Sequence, residues 1–304
     1  MNAPLPYLGE ALSLGCAAAW GVSVILFKRS EAVSPWAMNL FKNGSAFVLL
    51  GITLFATGGT FAVDRTPADW ARIIASGVLG LAVADTLFLE ALRRLGAGMM
   101  AIIDCVYAPT VALFSVFILG EKLGTGFLAG SALVVGGLFA ATTSGEGLRE
   151  AAAVAKTQLS GVLLGLGSIG IMAFGVVLAK PVLDNSGLVE TTFTRMGAGS
   201  ISLAIYVLLF RKDRGAIFRV FVPQPVWRRL VPAMLLGTYV SMLLWLGGVK
   251  YTSSTSVASV LNQLSVLFTL VLARVWLKEP MSTRKMLGGG ASLAGAIVIL
   301  LATG

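Results

Sequence analysis

The chain contains no histidine. That absence removes most metal-dependent hydrolase schemes and Ser–His nucleophilic chemistry, so no catalytic residue and no metal site is expected. No Gly-x-x-x-x-Gly-Lys-Ser/Thr loop occurs either, which argues against ATP hydrolysis within the chain and leaves an ion or solute gradient as the energy source. Charge is scarce: Asp, Glu, Lys and Arg make up 12% of the 304 residues, against about 25% in typical soluble domains. Too little polar surface remains to solvate a water-soluble body of this size. The two cysteines, Cys16 and Cys105, fall inside apolar runs, so no disulfide is expected. No cofactor is expected. The N-terminus, MNAPLPYLGEALS, has no basic segment, so the first apolar run reads as a retained span rather than a cleaved signal peptide.

What the chain does have is apolar length. Hydrophobic residues make up 57% of it, and 36 glycines allow the close helix approach that membrane packing uses. Runs of roughly 20 residues, enough to cross ~30 Å of hydrocarbon, lie at 7–27, 36–57, 70–92, 98–119, 124–143, 159–180, 188–210, 229–249, 254–277 and 284–302. Arg93-Arg94 and Lys250-Tyr251 mark tight helical hairpins between neighbouring runs. The expected fold is an all-α polytopic membrane protein with ten transmembrane helices.

The text also repeats. GLAVADTLFLEALRRLGAGMMA around Gly80 returns as GTYVSMLLWLGGVKYTSSTSVA around Gly237, an offset of 157 that pairs Phe88 with Trp245 and Arg93 with Lys250. One residue of slippage later, Leu119-Gly120-Glu121 meets Leu277-Lys278-Glu279. This divides the chain into a first five-helix repeat at 1–145, a connecting loop at 146–158 and a second repeat at 159–304. Five crossings are an odd number, so the two repeats are expected to lie inverted. The loops that would share one side of the membrane carry fifteen Lys or Arg, against five on the other. By the positive-inside rule the basic side is cytoplasmic, which puts both termini on the non-cytoplasmic side of the cell inner membrane. The net charge of +9 is spread over these loops without the aromatic spacing of a nucleic-acid module, so no nucleic-acid partner is expected.

Ionisable groups at bilayer depth are costly and are functional candidates by default. Asp85 sits mid-run in the third span and Asp104 in the fourth; with Glu90 they are the candidates for proton coupling. Glu90 approaches the span end, where an ion pair with Arg93 or Arg94 competes with that role. Asp104 and Tyr107 share a helix face, and Pro109 can loosen the backbone bonding beside them. The offset of 157 sets Cys105 and Val106 against Asn262 and Gln263, so both halves carry polar groups at this depth, where inverted-repeat transporters place solute. Lys42 and Arg195 correspond at an offset of 153, and either could attract a carboxylate or snorkel to the interface. Trp20 and Phe174 match in Ala-Trp-Gly and Ala-Phe-Gly, and with Tyr239 and Trp245 they are candidate aromatic walls.

The order and duplication of Glu90-Ala91-Leu92, Pro109 and Leu119-Gly120-Glu121-Lys122-Leu123, followed by Gly247-Gly248-Val249-Lys250 and Lys278-Glu279-Pro280, resemble the drug/metabolite transporter superfamily, and within it the EamA-like exporters. The second half departs where Val266 stands in the slot of Pro109. The resemblance implies secondary active export of a small metabolite, an amino acid or related amphipathic compound, by alternating access, with proton coupling or exchange. Export of drugs or organic cations, and uptake by the same fold, are the alternatives. A lipid-modifying enzyme would need paired catalytic groups that are not apparent. The expected partners are a small-molecule substrate, the lipid bilayer and protons, with the protein a monomer or a homodimer.

Overall fold

The structure, a computed structural model, describes residues 7–30, 32–60, 64–142, 159–277 and 283–303. The described residues are helical, with no strand among them. The first half contains α1 (Leu8–Lys28), α2 (Pro35–Ala56), α3 (Pro67–Gly77), α4 (Asp85–Asp104), α5 (Tyr107–Phe114) and α6 (Thr125–Thr142). The second contains α7 (Leu159–Asn185), α8 (Leu188–Phe210), the short α9 (Arg214–Phe218), α10 (Trp227–Met234), α11 (Ser241–Tyr251), α12 (Thr255–Asn262), α13 (Ser265–Leu277) and α14 (Thr283–Thr303). Among the described residues, six helical runs are long and apolar enough to cross a membrane: α1, α2, Pro67–Leu95, α7, α8 and Trp227–Tyr251. Tyr107–Leu119, Thr125–Gly137 and Leu287–Ile299 are shorter apolar helices. The connecting loop expected at 146–158 lies outside the described residues.

Local sequence sets the helix starts. Ser34 accepts the Ala37 N–H and precedes Pro35, while Thr66 accepts the Asp69 N–H and precedes Pro67. A side-chain oxygen satisfies one free amide, and proline occupies a first-turn site that needs no N–H.

The distribution of polarity is that of a membrane protein. Large apolar side chains point outward, with Leu301 79% and Phe117 78% exposed, whereas Arg195 is 1% and Lys42 4% exposed. A water-soluble fold would reverse this arrangement. Lipid replaces water around the outer face, and helices suit it because they satisfy their backbone groups internally. Helices α6 and α14 pack along glycine: a Cβ at Gly137 would fall 2.5 Å from Gly288 O, so only a missing side chain permits this approach.

Two features depart from ten uninterrupted rods. Helix α4 continues through Arg93-Arg94, where the sequence suggests a hairpin. Yet Phe88 and Asp104 line one small cavity, although a straight helix would separate them by ~24 Å. The run therefore doubles back within α4. The helical ladder is interrupted later instead, at Cys105-Val106 between α4 and α5, and again at Gln263-Leu264 between α12 and α13. These interruptions are 158 residues apart. They pair Asp104 with Asn262 and Tyr107 with Ser265, so the one-residue slip in the repeat falls before this point. The correspondence of Cys105 and Val106 with Asn262 and Gln263 is corrected by one position.

Candidate functional site

A cavity of about 90 Å³ lies inside the bundle. Trp20 reaches it from α1, Lys42 from α2, Asp85 from α4, Arg195 from α8 and Trp245 from α11. Two wide helical turns border it, Val78–Ala84 before α4 and Leu235–Val240 before α11. They begin 157 residues apart, the offset of the repeat. Such π-type turns free backbone carbonyls and recur at functional positions. Here the Asp85 N–H reaches back to Gly80 O, and Leu81 O accepts from Asn39 Nδ2 at 2.9 Å and Asn43 Nδ2 at 3.1 Å.

That carbonyl belongs to a closed network. The Lys42 ammonium forms an ion pair with Asp85 Oδ2. Asn43 Nδ2 adds a contact to the same oxygen at 3.3 Å and donates to Asn39 Oδ1 at 2.8 Å. Asn39 Nδ2 also donates to Thr86 Oγ1 at 2.8 Å. Each charge has an opposite charge beside it, which is what lets a buried pair persist.

Arg195 has no such partner. Its Nε donates to Ser76 Oγ at 2.8 Å, its NH1 approaches Met242 Sδ at 3.2 Å, and the guanidinium lies 5.0 Å from the centre of the Trp245 ring. Among the described residues no carboxylate is within ion-pair distance of it. The repeat explains why. Lys42 corresponds to Arg195, and the offset of 157 that pairs Gly80 with Gly237 also pairs Asp85 with Met242. In the second half a thioether stands where the first half has the counter-ion. Gly80 makes room for the guanidinium, since a Cβ there would lie 2.6 Å from NH2.

The two helix interruptions bring the remaining polar groups together. Gln263 Nε2 donates to Asp104 Oδ2 at 3.3 Å. Tyr107 lies within electrostatic reach of both Asp104 and Arg195, and its hydroxyl sits near Ser259 and Trp245 Nε1 without a well-formed bond to either. Asn262 Oδ1, Gln263 Oε1 and Trp245 Nε1 are likewise buried and unpaired within the protein. Native interiors satisfy nearly all such atoms, so a cluster of exceptions around one cavity marks a place for a polar guest. Among the described residues the site thus presents a guanidinium without an ion-pair partner, a carboxylate held by an amide, and several donors and acceptors between aromatic walls.

Nine of the residues singled out from the sequence border this cavity: the five above together with Asp104, Tyr107, Asn262 and Gln263. Three do not. Glu90 pairs with Arg93 at 2.8 Å and Arg94 at 2.7 Å, because i, i+3 and i, i+4 spacing stacks them on one face. Phe174 packs edge-on against Phe114, with ring centroids 5.5 Å apart. The Tyr239 hydroxyl shares a hydrogen bond with Thr53 Oγ1 at 2.6 Å. Pro109 falls in the first turn of α5, where its missing N–H costs little, and the second half makes the same interruption without proline. Ser76 and Met242, which help set the environment of Arg195, escaped the sequence reading, and Gly80 entered it only as an anchor of the repeat. The signal for Met242 was the repeat offset applied to Asp85.

Comparison with known proteins agrees with this architecture. The EamA-like transporter family matches residues 7–143 and again 159–301. A solved crystal structure superposes with a TM-score of 0.76 over 97% of each chain at 16% identity, which shows a shared fold. A comparison with curated proteins finds no match. With the duplicated match covering nearly the whole sequence, the chain belongs to the EamA-like transporter family, a group of multi-pass membrane proteins within the drug/metabolite transporter superfamily.

Proposed function

We propose that the protein is a secondary active transporter of the inner membrane that exports a small zwitterionic metabolite, an amino acid or a related amphipathic compound. Ten crossing segments in two inverted five-helix repeats carry it through alternating access, with the termini and the sparsely charged loops on the non-cytoplasmic side. The observation that carries this reading is Arg195, which among the described residues has no carboxylate within ion-pair distance. A buried guanidinium without a direct ion-pair partner is costly, and a solute carboxylate would relieve that cost through a two-pronged contact. Asp104, across Tyr107 from it, offers the matching site for an ammonium group. Lys42 and Asp85 neutralise each other and so contribute shape rather than net charge.

The same contrast favours Asp104 as the proton carrier. Asp85 is held by an ammonium and an amide, whereas Asp104 faces the cavity with one long amide contact. Protonation of Asp104 would release the solute ammonium and bias the inward and outward states, because a proton shifts the equilibrium only by its different affinity for the two.

A thermal-shift panel on the purified protein tests the solute class. A zwitterion should stabilise the protein at concentrations at least about tenfold lower than its decarboxylated amine or its deaminated acid, the factor expected for one charge-assisted contact. An organic cation that stabilises it equally well would overturn the assignment to Arg195. Proton coupling is tested with Asp104→Asn in vesicles. Gradient-driven accumulation should vanish while solute exchange persists at about tenfold weaker affinity, the loss of one charge-assisted contact, and accumulation at the wild-type level would refute the role of Asp104.

A further inference from the structure

We propose that Glu121 is a gate-positioning residue, locking the pathway shut toward the face of the membrane that carries the 120–124 loop. The inference rests on the reading of the chain as an alternating-access transporter. Its basis is a contact between the two halves that lies far from the cavity. Both carboxylate oxygens of Glu121 are engaged by the start of α12. Oε2 accepts from Ser254 Oγ at 2.6 Å and from Ser256 Oγ at 2.8 Å, and Oε1 accepts the Thr255 N–H at 2.9 Å. A carboxylate at a helix N-terminus gains from both the free amides and the helix dipole, and Ser254 also caps α12 by accepting the Val257 N–H. Gly120, with φ of 69°, turns the chain sharply enough to aim the glutamate back at its partner.

The clasp acts on the solute site through rigid elements. Helix α12 is about 12 Å long. Glu121 holds one of its ends, and Asn262 at its other end lines the cavity. Helix α5 mirrors it. Tyr107 at its start lines the cavity, and its continuation Ser115–Leu119 leads directly to Gly120 and Glu121. The two helices pack against each other, and Ala108 and Ala112 on α5 share one buried apolar cluster with Val257 and Leu261 on α12. This apolar pair fills the way between the cavity and the face bearing Glu121, and the clasp ties its ends together. Releasing the carboxylate lets α5 and α12 part, opening the cavity on that face.

The test uses Cys16, which borders the cavity, as a reporter in a Cys105→Ser background in sealed vesicles of both orientations. A membrane-impermeant maleimide added from the Glu121 face should label Cys16 slowly in the parent protein. Glu121→Gln, and independently the pair Ser254→Ala and Ser256→Ala, should speed that labelling by at least about tenfold, as loss of charge-assisted bonds would. Labelling from the opposite face should not accelerate. A residue that merely stabilised α12 would lower the melting temperature without changing this sidedness. Labelling rates unchanged from the Glu121 face in both variants would overturn the proposal. Protection of Cys16 by a zwitterionic solute, measured in the same vesicles, tests the transport reading separately.

Discussion

The two halves place a cation at the same point of the repeat and then treat it differently. In the first half Lys42 faces Asp85, and two asparagines complete the network. In the second half Arg195 faces Met242, with a serine hydroxyl and an indole ring for company. A duplicated structure can keep its backbone symmetry and still divide labour by changing one residue of a pair. The first half's pair balances its own charge and fixes the geometry of the wide turn before α4. The second half's cation remains available, and the solute site sits beside it.

Breaking the balanced pair should have the largest effect. Asp85→Asn leaves a buried ammonium without its counter-charge, so unfolding stability should drop by about 3–5 kcal/mol. Replacing both partners with apolar residues of similar size, Lys42→Met with Asp85→Leu, should recover most of that loss, because the cost lies in the orphaned charge. Thermal unfolding in detergent measures both variants. A single substitution that cost less than about 1 kcal/mol would mean that the pair is not a closed unit.

Giving the second half the partner it lacks should come next. Met242→Asp would set a carboxylate beside Arg195 and recreate the arrangement around Lys42. Solute affinity should fall by about ten- to a hundredfold, the range for one charged hydrogen-bonded contact, while thermal stability holds or rises. Isothermal titration with the best zwitterion from the panel provides the measurement. Undiminished binding would show that the solute carboxylate is held elsewhere, and the contrast between the halves would lose its functional meaning.

The architecture beneath this contrast could be read in part before the fold, but the contrast itself could not. The long runs were visible because ~30 Å of hydrocarbon demands a fixed length of apolar helix. Glu90 was legible as a local partner of Arg93 and Arg94 because helical spacing alone brings them together. Other features depended on information that spacing does not carry. Which side of α8 bears Arg195, and that Ser76 meets it across 119 residues, follows from helix rotation. Phe174 matches Trp20 in the repeat but turns to Phe114, because symmetry constrains the backbone more tightly than the side chains. The interruption at Gln263-Leu264 contains neither glycine nor proline. Glu121 looked like part of a family motif, and its engagement with Ser254 spans 133 residues.

The glycines of the two wide turns offer the smallest and sharpest comparison. Gly80 and Gly237 correspond, and each makes room for a neighbour, but the neighbours differ in how far they can yield. A Cβ at Gly237 would meet the Ser23 Cβ at 2.4 Å, an atom fixed to the backbone of α1, so Gly237→Ala should separate two helices. Overpacking of this kind costs about 1–3 kcal/mol, and the loss should appear as reduced thermal stability. A Cβ at Gly80 would meet the NH2 of Arg195 at 2.6 Å, the far end of a flexible side chain. The guanidinium can move aside, so Gly80→Ala should leave melting nearly unchanged. It should instead weaken solute binding a few-fold, roughly the cost of a displaced hydrogen bond. If Gly80→Ala lost stability as Gly237→Ala does while binding held, Arg195 would be a packing residue, and both halves would use their cation for structure alone.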